Sequence, residues 1–123
     1  MLGGGAVKAK AVKVASETDV RKAVMDLLAA RGFRVFRRNV MGVVPIKGGA
    51  IRVGQKGMAD LYGWEIGTGR HIEVEVKKPG GRTNLSLALM QKAWLMGALK
   101  NGCIAFQTDS VNDCEKKLAE FGC

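Results

Sequence analysis

Between residues 27 and 59 this chain of 123 residues has no aspartate or glutamate, although Arg31, Arg34, Arg37, Arg38, Lys47, Arg52 and Lys56 all fall inside that stretch. The absence excludes a locally neutralised surface. It suits either a solvated edge hairpin, whose charges discourage aggregation, or a face that tracks the phosphates of an anionic polymer. Histidine is scarce too: His71 is alone, and Cys103, Cys114 and Cys123 form no Cys-x-x-Cys pair. That excludes a zinc finger and assigns His71 to a position beside a strand or near a substrate. An odd number of cysteines without a secretory leader predicts reduced thiols in an intracellular, cytoplasmic setting. No apolar run reaches the length of a membrane span, so no membrane is expected as partner. Neither a repeat nor a low-complexity block interrupts the chain, and its length suits one compact domain, small enough to gain from dimerisation.

What the chain has in excess is positive charge: 20 Lys and Arg stand against 11 Asp and Glu, a formal +9 with a pI near 9.8. Nucleic acid is therefore the leading candidate partner. Arg34, Arg37, Arg38, Lys47, Arg52 and Lys56 are the candidate DNA-binding residues, with Arg82 as a further phosphate grip near a later helix start. Residues 1–15, rich in Gly, Ala and Lys, read as a flexible basic arm, and residues 16–123 as the folded domain.

Ser16 and Asp19 form a capping box ahead of a helix expected to run to about residue 31, where Gly32 ends it. Val20, Ala23, Val24, Leu27 and Leu28 recur at helical spacing as its buried stripe. Glu17 continues that stripe, so its carboxylate is expected to point inward. Residues 33–38 read as a strand, and residues 40–53 as one or two short strands broken by Gly42, Pro45 and Gly48-Gly49. Residues 58–64 and 71–78 read as adjacent strands around a turn containing Gly67 and Gly69. A long helix over residues 85–99, capped by Thr83 or Asn84, is apolar almost all round, which predicts burial against the sheet or sharing with a second subunit. A strand over residues 103–107 and a helix over residues 111–121 complete a single α/β domain, a mixed β-sheet flanked by α-helices.

The chemistry concentrates between residues 57 and 77. Along the strand Ile72, Val74 and Val76 take one face, while Glu73, Glu75 and Lys77 take the other. With Asp60 ending the neighbouring segment, Asp60, Glu75 and the backbone carbonyl of Val76 offer hard oxygen donors to Mg²⁺ or Mn²⁺, beside an amine able to orient and polarise water. Glu17 is expected to reach the ion through water or to help hold a second one. Glu73, roughly 7 Å along the strand from Glu75, is assigned a supporting duty, and Lys78 is expected to face away from Lys77.

Gly57-Met58-Ala59-Asp60-Leu61, Glu75-Val76-Lys77, Glu17 in the first helix and Leu85-Ser86 leading to Gln91 together resemble the virus-type replication-repair nuclease (VRR-NUC) domain of the PD-(D/E)xK nuclease superfamily. The resemblance covers most of the chain and implies a restriction-endonuclease-like fold. Ala59 departs from it, since proline often precedes the aspartate in that family. It further implies a catalytic set of Glu17, Asp60, Glu75, Lys77 and Gln91, a homodimer, and cleavage of branched DNA such as Holliday junctions. For Gln91 the alternative is a glutamine buried for hydrogen bonding alone. For the whole chain the alternative is a noncatalytic DNA-binding module. A restriction-type enzyme reading a base sequence is disfavoured by the lack of a spare recognition domain or helix.

Overall fold

The computed structural model describes residues 15–38, 42–53 and 55–123, so all but the last residue of the expected arm lies outside the described residues. Helix α1, Glu17–Ala30, opens on the anticipated capping box: Ser16 Oγ accepts from Asp19 N–H, and the Asp19 carboxylate accepts from Ser16 N–H. Strand β1, Phe33–Arg37, follows at once. Strands β2, Gly42–Ile46, and β3, Gly49–Val53, form a separate two-stranded antiparallel sheet. Strand β4, Leu61–Glu65, and strand β5, His71–Val76, come next, then helix α2, Leu85–Lys100, strand β6, Ile104–Thr108, and helix α3, Val111–Glu120.

The main sheet has the order β1-β4-β5-β6, antiparallel except for the β5–β6 pair, which is parallel. A parallel pair needs a crossover, and α2 supplies it. Alternation then sorts the side chains. Phe33, Leu61, Ile72, Val74, Val76, Ile104 and Phe106 meet Val20, Val24 and Leu28 of α1 and Cys114 and Leu118 of α3 in the principal core. At Gly63 the strands approach so closely that a Cβ would lie 1.8 Å from the Arg34 carbonyl oxygen, so any other residue there would force β1 and β4 apart. The opposite sheet face carries Glu73 and Glu75, both buried because α2 lies across β5 and β6. Ala59, Leu95 and Ala105 form a small second core beneath that helix.

Two expectations about helices need correcting. Ala23 is exposed, so the buried stripe of α1 is Val20, Val24 and Leu28, joined by Arg21. The helix α2 is not enclosed: only Gln91 and Leu95 are buried, while Leu85, Leu89, Met96 and Leu99 lie exposed in one stripe at helical spacing. Residues 58–60 precede β4 as coil, leaving Asp60 free of the strand ladder.

Candidate active site

Asp60 is positioned by the loop before β4. Gly57 turns that loop with φ of 92°, and a Cβ there would come within 2.7 Å of Met90 Cβ, so glycine lets the loop lie directly on α2. The Arg38 N–H donates to the Asp60 carbonyl at 2.7 Å, pinning the backbone. The Asp60 carboxylate then accepts from the Val76 N–H at 3.0 Å, just where the β4–β5 ladder ends. In a strand a residue's N–H and C=O share an edge, so the Val76 carbonyl opens to the same side as Asp60.

Glu75 lies on the face beneath α2. Its Oε2 accepts from Gln91 Nε2 at 3.1 Å and sits 3.3 Å from Lys77 Nζ. Its Oε1 is buried with no hydrogen-bond partner. Burial first, and the negative charge of Asp60 second, push the Glu75 carboxyl up to about 7. A buried carboxylate oxygen without a hydrogen-bond partner, beside a second carboxylate, is an arrangement that a bound cation would complete. Asp60, Glu75 and the Val76 carbonyl therefore fit a hard divalent ion. Among the described residues no three His, Cys, Asp or Glu side chains gather as a ligand cluster, so the carboxylate donors at this point are a pair.

Lys77 Nζ meets three acceptors: Thr83 Oγ1 at 2.8 Å, Gln91 Oε1 at 2.8 Å and Glu75 Oε2 at 3.3 Å. Thr83 and Gln91 take two of the amine's three donors, and Glu75 adds a negative charge at ion-pair range. Asn84 alone caps α2, through a bond from the Leu87 N–H, which leaves the Thr83 hydroxyl to Lys77. Gln91, buried on the second turn of the helix, bridges lysine and glutamate. A polar cavity of about 440 Å³ opens beside this group, lined in part by Lys77, Lys78, Thr83 and Gln91. Lys78 thus shares a cavity with Lys77 instead of facing away, because β5 ends at Val76 and strict alternation ends with it.

Glu17 does not point inward. It occupies the exposed first turn of α1 and pairs with Arg21 at 3.6 Å, one turn on, because Arg21 and not Glu17 takes the covered position. Arg38 also departs from expectation. Instead of facing phosphate it makes a two-pronged bond to Glu73, 2.6 Å and 2.9 Å, and donates to the Ala59 carbonyl at 2.9 Å. Glu73 also accepts from Trp94 Nε1 at 2.7 Å and meets His71 Nε2 at 2.5 Å. Burial raises the Glu73 carboxyl, but the bonds from Arg38, Trp94 and His71 outweigh it and hold the group below the usual value. Arg31 is likewise answered, by Glu115.

Arg34, Arg37, Lys47, Lys56 and Arg82 remain exposed, with no carboxylate in ion-pair range among the described residues. The Arg52 side chain lies outside the described residues. Glu73 takes the supporting duty expected of it, whereas its partners Arg38, Trp94 and His71, and Thr83 as a partner of Lys77, do not follow from the sequence reading; Gln91 and Trp94, three residues apart on α2, carry the one signal, since that spacing puts both on the sheet-facing side. No helix of the described residues is long and apolar enough to cross a membrane. Compared with models of protein families and with curated proteins, the chain matches none.

Proposed function

We propose that the chain is a metal-dependent, structure-selective endonuclease of the VRR-NUC type, hydrolysing phosphodiester bonds in branched DNA such as Holliday junctions. The observation that carries this reading is the Glu75 carboxylate, buried with one unpartnered oxygen beside Asp60, while its other oxygen meets Gln91 and Lys77. Asp60, Glu75 and the Val76 carbonyl would hold Mg²⁺ or Mn²⁺, which when bound polarises the phosphate and acidifies water.

Lys77, already fixed by Thr83 and Gln91, orients that water and answers the charge that builds on the phosphate oxygens as the bond to the leaving sugar oxygen breaks. Gln91 positions the lysine and keeps Glu75 in register with it. Arg34, Arg37, Lys47, Lys56 and Arg82 supply sequence-independent phosphate contacts. The apolar stripe of Leu85, Leu89, Met96 and Leu99 supports a homodimer through α2, which would set two sites against two strands.

The test is cleavage of labelled linear, flap and four-way-junction DNA with Mg²⁺, Mn²⁺ or EDTA. Metal-dependent cutting of branched substrates sustains the reading, and binding without cutting under every metal condition replaces it with a noncatalytic DNA-binding module.

A further inference from the structure

Helix α2 covers only the β5–β6 half of its sheet face, and what the other half exposes is aromatic. Phe36 of β1 stands opposite Tyr62 of β4 with ring centroids 5.9 Å apart, and its ring lies 5.8 Å from that of Trp64. Phe36 and Trp64 are 39% and 45% exposed, unusual for rings of this size on a sheet that has a helix available to cover it. Arg34 is the direct cross-strand neighbour of Trp64, and His71 flanks Trp64 from the other side. The row continues inward: the Arg38 guanidinium lies 4.5 Å from the Tyr62 ring centre and 5.6 Å from that of Trp94. Trp94 in turn borders a cavity of about 920 Å³ that has Lys56 and His71 in its wall.

Rings and guanidinium planes therefore run without a break from the open sheet toward the helix that carries Gln91. They lie on the same sheet face as Glu75. We propose that this row is a stacking platform for unpaired bases of a DNA strand, delivering the strand to Asp60 and Glu75. The proposal rests on the reading above that DNA is the partner, and narrows it to DNA with a single-stranded segment next to the cut. Three features favour this occupant over an apolar protein surface. The platform interleaves rings with Arg34, beside a stretch of chain that has no acid over residues 27–59. Every base has a π-face, so stacking tolerates any sequence, whereas phosphate contacts alone would not require exposed rings. The face is also continuous with the candidate active site, through Arg38, whose backbone N–H holds the Asp60 carbonyl.

The experiment measures binding of a labelled oligothymidine strand, and of a duplex of equal length, to the wild type, Phe36→Ala, Trp64→Ala and Trp64→Phe in EDTA, so that nothing is cut. Phe36→Ala and Trp64→Ala are each expected to weaken single-strand binding about ten-fold while leaving duplex binding within about two-fold, and Trp64→Phe to stay near wild type. Tryptophan emission should be quenched by the strand, and less so in Trp64→Ala. Unchanged single-strand binding would overturn the platform, as would equal loss on both DNAs. A fall in molecular mass in these variants would assign the face to a second copy of the chain instead. Since the readout needs no metal, normal variant binding with intact cleavage discards the platform alone, whereas selective loss of strand binding in a protein that never cuts discards the nuclease reading alone.

Discussion

At the scale of single residues, the decisive contrast is between two glutamates on one strand face. Glu73 is surrounded by donors and held below the usual carboxylate value; Glu75 has one empty oxygen and is pushed up to about 7 by burial and by Asp60. In the unfolded chain both return to ordinary values, so their signs oppose. Glu75 adds stability that is complete below its unfolded value, near 4.5, and is lost as pH rises through about 7. Glu73 adds stability above its unfolded value that is lost as pH falls through its lower folded one. In EDTA, urea midpoints of the wild type should therefore fall from pH 5 to pH 8 more than those of Glu75→Gln, and added Mn²⁺ should reverse the fall in the wild type only; parallel pH curves for both proteins would remove Glu75 as the titrating group. For catalysis, Asp60→Ala, Glu75→Ala and Lys77→Ala should each lower cleavage by at least about a hundred-fold while DNA binding persists, because the exposed basic residues lie elsewhere. Gln91→Ala should lower turnover as well and cost about 1–3 kcal/mol, since it leaves Lys77 and Glu75 each short of a buried partner.

At the scale of elements, the sequence was legible wherever period and punctuation agreed. The capping box of α1, the alternation of β5 and the glycine-bounded turn before it are local signals, and the observed elements follow them. Orientation was less legible. Glu17 and Arg21 are neighbours on one helix, and only the packing of α1 against the sheet decides which is covered. The sequence similarly could not say that Arg38 would turn to Glu73, 35 residues away, since that pairing depends on β4 lying between β1 and β5. The pairing has a measurable consequence. Arg38→Ala should destabilise the fold by about 3 kcal/mol in chemical denaturation, because it removes the guanidinium that answers a buried carboxylate and leaves it only Trp94 and His71, whereas a phosphate contact would cost binding and little stability. Gly57→Ala should likewise cost about 1–3 kcal/mol and move the Asp60 loop off α2, seen as lost cleavage with binding retained.

At the scale of the whole molecule, two surfaces stand out. α2 turns a stripe of Leu85, Leu89, Met96 and Leu99 outward, and Arg34, Arg37, Lys47 and Lys56 of the acid-free stretch are exposed without an acidic partner among the described residues. Binding to DNA should weaken steeply with salt, and removing any one of Arg34, Arg37 or Arg82 should reduce the slope of log K against log salt by about 0.9 if that residue meets a phosphate. Leu89→Glu should shift the mass measured by light scattering from dimer to monomer; an unchanged mass would exclude α2 as the interface. The central claim, however, is that Asp60, Glu75 and Lys77 form a hydrolytic site. The most direct measurement is cleavage of a labelled four-way junction by the wild type and Lys77→Ala, each with Mn²⁺ and with EDTA. Cutting by the wild type with metal, none in EDTA and none by a Lys77→Ala protein that still binds the junction is the predicted result; equal cutting by both proteins, or none by either while both bind, would contradict it.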